Sequence, residues 1–362
     1  MRALRLYAGP KALAHLRAQG LRPEDVRVIP GAAGGPKGLV LGPLDRFLFG
    51  RWLPQSHHPV DLVGASIGAW RMATACLPDP VARSRALEHD YIHQHYVPEP
   101  GRSRPSAAQV SASFGQSLSE FFGTAVDTLL QHPRYRLHVM TSHGRGVLGR
   151  EHPWATPLGY GWAYCTNLVS RRAMGHVLER VVFSSLGADG QPVPLPFATQ
   201  DYPTVQQTLT PANFGPAVQA SCSIPFVLQA VHDIPGAAPG AYWDGGITDY
   251  HLHLDYRATP GLVLYPHFQK AVVPGWLDKA LRWRHGATAH LESTLVLAPD
   301  PEWVRQCLPN GKLPDRTDFV HYGEDLAARV RVWQRAVAES ERLADEWARW
   351  LDQPDESWLE PL

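Results

Sequence analysis

Three short glycine-rich stretches of this 362-residue chain carry residues that could perform chemistry. They are GAAGGPKG at 31–38, GASIG at 64–68 and DGG at 244–246. The first two each follow an apolar run directly, and glycine in such turns lets the backbone approach a ligand closely. Two such turns so close together are expected in a phosphate-binding site, or in an esterase that needs an oxyanion hole and an exposed serine.

The first stretch fits a phosphate-binding Walker loop poorly. That loop follows the pattern G-x-x-x-x-G-K-[ST], and Lys37 does stand six residues after Gly31. However, Pro36 takes the place of the glycine before the lysine and has no backbone N–H to give to a phosphate. Gly38 stands where a hydroxyl would hold magnesium. The stretch therefore argues against a nucleotide site.

Ser66 lies in a G-x-S-x-G pattern between a predicted strand and a predicted helix. A nucleophile elbow needs small residues around a tight strand-to-helix turn, and Gly64 and Gly68 supply them. The serine would then stand at a helix N-terminus, where the helix dipole favours a developing negative charge. A serine that only caps the helix would have the same local sequence. The strand and helix on either side favour the nucleophile.

A serine nucleophile also needs donors for the oxyanion and a base. Gly34 and Gly35 offer backbone N–H groups with no side chain to obstruct an approaching carbonyl oxygen. Their loop follows the predicted strand at 25–31. We expect this strand to lie beside the predicted strand at 60–64, which precedes Ser66. Because ligand sites in open parallel sheets lie at the carboxyl ends of strands, we expect the two turns to lie side by side.

The base is less obvious than the nucleophile. Several of the histidines downstream of Ser66 are candidates, and each is expected to be a surface or packing residue: His251, His253, His267, His285, His290 and His321. Asp244 stands out, because it follows two aromatic residues of a predicted strand and precedes two glycines. An ordinary turn has the same composition. A carboxylate becomes a useful base only if it is desolvated and held close to the hydroxyl.

Taken together and in this order, the motifs resemble those of the patatin-like phospholipases. That family has a G-G-G-x-[KR]-G loop, then G-x-S-x-G, then D-G-[GA]. This chain has AGGPKG at 33–38, GASIG at 64–68 and DGG at 244–246. The segment AVQASCSIPFVLQAV at 217–231 resembles the A-S-x-x-x-P segment of the family.

The resemblance implies a three-layer α/β fold with a mostly parallel sheet, in which Ser66 is the nucleophile and Asp244 the base of a dyad. Gly34 and Gly35 would donate to the oxyanion, and no metal or cofactor would take part. The supporting motif residues would be Lys37, Gly38, Gly64, Gly68, Gly245 and Gly246. The implied activity is hydrolysis of a carboxylic ester of a lipid through an acyl-enzyme on Ser66.

The chain departs from the family pattern at two positions of the first loop. Ala33 replaces its first glycine, and Pro36 fills its variable position and cannot donate a hydrogen bond. Lys37 matches the basic position, where it could lie near an acidic head group or brace the loop. Two other functions stay open: an α/β-hydrolase-type esterase or thioesterase with a histidine base, and a non-catalytic lipid-binding protein.

The remaining sequence predicts the elements that would position these residues. Strand, turn and helix alternate from residue 25 to residue 77, as in a parallel α/β sheet. Strands are predicted at 25–31, 60–64, 135–142, 180–185, 241–246 and 261–266, and helices at 38–49, 65–77 and 106–131. We expect a catalytic domain over 1–265. Near 143–164 it carries an insertion or lid-like loop rich in Gly, Pro and aromatic residues.

Residues 266–362 are expected to form a C-terminal extension packed on the same domain. Near 324–351, apolar residues recur at three- and four-residue steps and predict an amphipathic helix. This helix carries Trp333, Trp347 and Trp350 with arginines between them. It would either contact a lipid surface or pack on the core with a mixed-charge outer face. Acidic residues are about as frequent on it as arginines, which favours packing on the core.

The overall composition limits the functional class. Lys plus Arg and Asp plus Glu both number 34, and this balance argues against a nucleic-acid-binding protein. We see neither a secretory signal nor an apolar run long enough to span a membrane. The four scattered cysteines do not suggest a zinc site. We expect a reduced, cytoplasmic protein that acts on a lipid or another acyl ester and could contact a lipid surface peripherally.

Overall fold

A mostly parallel β-sheet with helices on both sides organises the chain, so the predicted α/β fold is confirmed. The computed structural model describes residues 1–102, 104–187 and 189–362. Within them the strands are β1 (Leu4–Ala8), β2 (Val26–Gly31), β3 (Val60–Ala65), β4 (Tyr135–Gly144), β5 (Leu178–Ser184), β6 (Thr204–Thr208), β7 (Val231–His232), β8 (Ala241–Asp244), β9 (Leu262–Pro266), β10 (Thr294–Pro299) and β11 (Leu359–Pro361).

The α-helices connect and cover these strands. They are α1 (Pro10–Gln19), α2 (Gly42–Phe47), α3 (Ile67–Ala75), α4 (Pro80–His93), α5 (Ala107–Phe122), α6 (Val126–Leu130), α7 (Ala155–Val169), α8 (Arg171–Met174), α9 (Pro211–Cys222), α10 (Gly246–Asp249), α11 (Pro301–Cys307), α12 (Thr317–Tyr322) and α13 (Leu326–Asp352). None of the helices in the described residues combines the length and apolar character that a membrane span requires.

The strand order is β11-β1-β10-β9-β2-β3-β4-β5-β6, and β8 forms a branch that pairs with β4 and with β7. The central strands β10, β9, β2, β3 and β4 run parallel to one another, whereas β10 pairs antiparallel with β1 and β4 pairs antiparallel with β5 and β8. Every residue of β3 and β9 is buried, as expected for parallel strands covered on both faces. The carboxyl ends of β2 and β3 therefore meet at the same edge of the sheet.

Residues 266–362 complete this sheet. β10 lies between β1 and β9, and β11 pairs with β1 at the edge. The expected limit between residues 265 and 266 falls inside β9. The C-terminal part is therefore built into the fold rather than added to a finished domain.

The stretch near 143–164, expected to be an insertion or lid-like loop, is mostly regular structure. β4 continues to Gly144, and α7 begins at Ala155 and runs to Val169. A Cβ atom at Gly159 would lie 2.6 Å from Cδ2 of Leu148, so this glycine permits close packing inside the helix. Packing of this kind overrides the weak helix propensity that the glycines suggest.

The amphipathic helix predicted near 324–351 is confirmed as α13. Its residues Trp333, Trp347 and Trp350 are all buried, and the helix packs against α2 and α4. Its apolar face therefore covers the core, and its tryptophans are not available to a lipid surface.

Candidate active site

Ser66 occupies a strained turn between β3 and α3, with φ of 56° and ψ of −130°. A non-glycine residue in such a region costs on the order of 1–3 kcal/mol and persists only where its surroundings enforce it. Here the enclosing glycines allow very close contacts. A Cβ atom at Gly68 would lie 1.8 Å from the carbonyl oxygen of Gly31, and one at Gly64 would lie 2.4 Å from Cα of Ala69. This is the tight strand-to-helix turn that a nucleophile elbow requires.

The register of the sheet brings Asp244 to this turn. β3 pairs with β4 as far as Ala65, which lies opposite Met140. β8 pairs antiparallel with the next three residues of β4, placing Asp244 opposite Thr141. The two strands thus meet end to end on the same side of β4. Ser66, which follows Ala65, and Asp244, which ends β8, are neighbours for this reason.

A hydrogen bond joins the two side chains. The Ser66 hydroxyl donates to Asp244 Oδ2 at an Oγ–Oδ2 distance of 2.8 Å. The second carboxylate oxygen, Oδ1, accepts the backbone N–H of Gly246 at 2.7 Å. Both residues are buried. The carboxylate is therefore held by one donor on each oxygen, with its Oδ2 aimed at the hydroxyl.

Burial raises the pKa of Asp244 from 3.8 to about 6. The Ser66 hydroxyl, the Gly246 N–H and the charges of Arg316 and Lys279 act in the opposite direction and limit the rise. The carboxylate is consequently a stronger base than an exposed aspartate and is still ionised at neutral pH. These are the conditions under which an aspartate can deprotonate a serine hydroxyl.

Helix α9 and the residue after it hold both halves of this pair. The hydroxyl of Ser221 accepts the backbone N–H of Ser66 at 2.9 Å. The N–H groups of Asp244 and Gly245 donate to the carbonyl oxygens of Ser223 at 3.0 Å and Ser221 at 3.1 Å. The segment 217–231, noted in the sequence for its resemblance, therefore positions the serine and the aspartate together.

The glycine loop after β2 lies against both turns. The backbone N–H of Ala33 donates to the carbonyl oxygen of Tyr250 at 3.0 Å. Among the hydrogen bonds of the described residues, the N–H groups of Gly34 and Gly35 have no acceptor. Gly35 has a φ of +57°, a conformation that favours glycine. These two N–H groups are free to bind an oxygen atom of a ligand.

The remaining motif residues surround the pair. A Cβ at Gly246 would lie 2.6 Å from the Ala33 Cβ, and one at Gly38 would lie 3.4 Å from the Ile67 side chain. A Cβ at Gly245 would meet the carbonyl oxygen of Met140 at 2.2 Å. The structure thus brings the three predicted glycine stretches into contact.

Three cationic side chains, Lys37, Lys279 and Arg316, form what we call the cationic rim. Lys37 lies 3.5 Å from a carboxylate oxygen of Asp315. The Lys279 ammonium lies 4.1 Å from the ring centre of Tyr250. The side chain of Arg316 would lie 3.3 Å from a Cβ at Gly35. Sequence motifs pointed to Lys37 alone, because nothing in the local sequence marks the other two.

The rim is electrostatically coupled to the dyad. Desolvation and the charges of Lys37 and Arg316 lower the pKa of Lys279 to about 8. Within the described part of the chain, neither Lys279 nor Arg316 has a carboxylate within 4.0 Å. Their positive charges therefore act on Asp244 and on whatever anionic group enters the site.

None of the six candidate histidines bonds to Ser66 in the part of the chain that the structure describes. His253 lies between the Val272 carbonyl oxygen and the Thr288 hydroxyl, and burial lowers its pKa to about 4. Burial also lowers the pKa of His267 to about 3 and the pKa of His251 well below its ordinary value. In the described residues, the Ser66 hydroxyl bonds to Asp244 and to none of the six histidines.

Comparison of the chain with protein-family models, with curated proteins and with solved structures finds no match in any of the three. The resemblance to the patatin-like phospholipases therefore stays a hypothesis that depends on the ordered motifs. What the site does must be inferred from its own geometry.

Proposed function

We propose that the protein is a serine-dependent carboxylic ester hydrolase that acts on lipid or other acyl esters through an acyl-enzyme on Ser66. The observation that supports this most is the 2.8 Å hydrogen bond from the Ser66 hydroxyl to Asp244. It occurs at a strained turn, and the glycine loop in contact with this turn holds two backbone N–H groups that have no acceptor among the described residues. Nucleophile, base and oxyanion donors are the three parts that acyl transfer requires.

The first half of the reaction forms the acyl-enzyme. Asp244 accepts the hydroxyl proton as Ser66 Oγ attacks the ester carbonyl carbon. The carbonyl oxygen becomes an oxyanion that the N–H groups of Gly34 and Gly35 stabilise. When the intermediate collapses, the bond to the alcohol oxygen breaks and the alcohol leaves with the proton from Asp244. Loss of one oxyanion donor typically lowers kcat by about 10²–10³.

The second half releases the acid. Water attacks the acyl carbon while Asp244 accepts its proton, and the same N–H groups stabilise the second oxyanion. Collapse of this intermediate breaks the bond to Ser66 Oγ, which recovers its proton from Asp244. The carboxylic acid leaves, and serine and aspartate return to their starting states.

Turnover of p-nitrophenyl esters of graded chain length tests the proposal. We expect wild type to release p-nitrophenol, and Ser66→Ala and Asp244→Asn to lose at least about 10³-fold in kcat/KM. Ser223→Ala is a matched control, because that hydroxyl donates to the Gln219 carbonyl oxygen and not to the dyad. Substantial turnover by Asp244→Asn would show that the base is another group.

A further inference from the structure

One helix of the fold presents an apolar face that nothing in the structure covers. α7 has the sequence ATPLGYGWAYCTNLV, without a single ionisable Asp, Glu, Lys, Arg or His. Of the fourteen exposed large apolar side chains among the described residues, five lie on it or at its N-cap. They are Trp154, Leu158, Trp162, Leu168 and Val169. Surface helices normally turn charged residues outward, so this concentration calls for a ligand or partner.

The exposed residues are aligned. At 100° per residue, Trp154, Leu158, Trp162, Cys165 and Val169 fall within an arc of about 80° and extend over about 22 Å. We call these five residues the α7 face. Trp154 is 80% exposed, Trp162 61%, Leu158 74% and Val169 82%. The face is therefore a continuous apolar stripe rather than a set of scattered side chains.

The opposite side of α7 is firmly attached to the protein. Asn167 donates to Asp278 Oδ1 at 2.8 Å, and Asp278 also accepts Arg171 at 2.7 Å and Arg284 at 2.9 Å. The α7 face is consequently held outward by a buried polar network.

The same helix borders the dyad. Tyr160 lies on its inner side, with its ring 5.9 Å from the ring of Trp243 and 5.9 Å from that of Phe226. Trp243 directly precedes Asp244. Phe226 is 62% exposed and has a φ of 68°, a strained conformation for a bulky residue. Burial and then the negative charge of Asp244 raise the pKa of the Tyr160 hydroxyl, so the inner side of α7 lies near the dyad.

We propose that the α7 face docks the protein on a zwitterionic or neutral lipid surface, so that an acyl ester enters the dyad directly from the lipid phase. The entry of an ester from the lipid into the dyad rests on the proposed hydrolase function, whereas binding of the α7 face to lipid does not. Tryptophans and aliphatic side chains on one helix stripe are typical of interfacial helices.

The chemistry of the face favours lipid over a protein partner. Protein interfaces surround an apolar centre with polar groups that make hydrogen bonds, whereas the α7 face offers only the Cys165 thiol and the indole N–H groups of Trp154 and Trp162. Indole rings of this kind are also enriched at membrane interfaces, where one end is apolar and the other is wet. The nearness of α7 to the dyad, through Tyr160 and Trp243, is also what a hydrolase of water-insoluble esters needs. Because the helix carries no charge, binding should depend little on anionic lipids or on salt.

The test is co-sedimentation of the full chain carrying Ser66→Ala with phosphatidylcholine vesicles. This background prevents turnover, so binding is measured independently of hydrolysis. We expect binding that persists in about 1 M NaCl. The double variant Leu158→Gln/Val169→Gln should bind at least about tenfold more weakly, because two apolar side chains no longer leave water. The matched control Val97→Gln/Val320→Gln removes two exposed valines elsewhere and should bind as its parent does.

Several results would overturn the inference. They are no binding to the vesicles, equal binding by the α7 double variant, or loss of binding in high salt. A dimer in sedimentation velocity that the same double variant dissociates would assign the face to a second copy instead. Hydrolysis of a soluble p-nitrophenyl ester by wild type is measured in parallel. Vesicle binding without hydrolysis of the soluble ester would support docking and refute the proposed hydrolase function. Hydrolysis of the soluble ester without vesicle binding would support the hydrolase function and refute docking.

Discussion

The dyad end of the sheet and helix α13 belong to one fold but satisfy their groups to very different degrees. At the dyad, Ser66 is strained and Asp244 is desolvated, and the N–H groups of Gly34 and Gly35 have no acceptor in the part of the chain that the structure describes. On α13, the indole N–H of Trp333 donates to Asp318 at 2.9 Å. Glu346 accepts the N–H groups that begin β1, at 2.8 and 2.9 Å. The dyad region concentrates backbone strain and a desolvated charge at one reactive pair. Helix α13 instead pairs several of its buried polar groups, although among the described residues Trp347 Nε1 and Arg329 Nε are buried without a partner.

This difference indicates which residues serve the chemistry and which stabilise the fold. Backbone strain, desolvated charge and hydrogen-bond donors without acceptors persist only where other interactions of the fold compensate for their cost. They are typical of active sites. Substitutions at the dyad should therefore abolish chemistry while sparing or raising stability. Substitutions under α13 should lower stability without a specific effect on chemistry.

The largest expected effect lies under α13. Trp347 is fully buried and its ring centre lies 5.3 Å from that of Trp350 and 6.1 Å from that of Trp52. Trp347→Ala should lower the free energy of unfolding by about 3–5 kcal/mol, because it leaves a cavity. Urea denaturation measures this. Trp162→Ala, an exposed tryptophan on α7, should change it by less than about 0.5 kcal/mol. Equal effects of the two substitutions would contradict the comparison.

Asp244→Asn should separate activity from stability most clearly. The folded-state pKa of about 6 lies above the ordinary 3.8, so the folded state binds the proton more tightly than the unfolded state does. The wild-type carboxylate therefore destabilises the fold above pH 6, and this penalty is relieved as the pH falls from 6 towards 4. At pH 7.5 the variant should be more stable by up to about 3 kcal/mol, although inactive.

Thermal and urea denaturation of both proteins at pH 7.5 and pH 4.5 would check this. The advantage of Asp244→Asn should shrink at the lower pH. A variant that is less stable than wild type at pH 7.5 would mean that Asp244 holds the fold together rather than serving as a base.

A smaller effect is expected from relief of backbone strain at Ser66. Ser66→Gly should be more stable than Ser66→Ala by about 1 kcal/mol, because glycine adopts a φ of 56° without strain but loses more conformational entropy on folding. Both variants lack the hydroxyl, so their difference isolates the backbone. Equal stability in denaturant titrations would show that the turn is not strained.

The smallest expected effect concerns the cationic rim and the pH profile. Because Asp244 must be ionised, kcat/KM should fall as the pH drops through about 6. The charge of Arg316 lowers the pKa of Asp244, so Arg316→Gln should move this acid limb to higher pH. The exposed Arg305, paired with Glu302, offers a control in Arg305→Gln. An unchanged limb in Arg316→Gln would exclude coupling between the rim and the dyad.

How far the sequence predicts this molecule depends on the range of the interactions involved. The elbow at Ser66 is a local strand–turn–helix pattern whose glycines reflect close contacts within the same few residues, so its residues could be recognised directly. The amphipathic period of α13 is also local. Asp244 stands out in its local sequence, but the role of base could be assigned to it only through the resemblance of the ordered motifs. The register that places it opposite Thr141 is a property of the whole sheet.

Other features depend on partners far away in sequence. β1 pairs with β10 across about 290 residues, and a five-residue run such as LRLYA does not reveal that partner. Lys279 and Arg316 reach the dyad from the C-terminal part, whose strands complete the same sheet. Helix α7 was not predicted because its glycines suggest a loop, whereas one of them, Gly159, permits close packing against Leu148.

The most direct test of the central claim is labelling with a fluorophosphonate probe, followed by peptide mass spectrometry. We expect a single adduct on Ser66 in wild type, with much slower labelling of Asp244→Asn and none of Ser66→Ala. Labelling of Ser223 or of another serine in place of Ser66 would contradict it. So would undiminished labelling of Ser66 when Asp244 is replaced, because the base that activates the serine would then lie elsewhere.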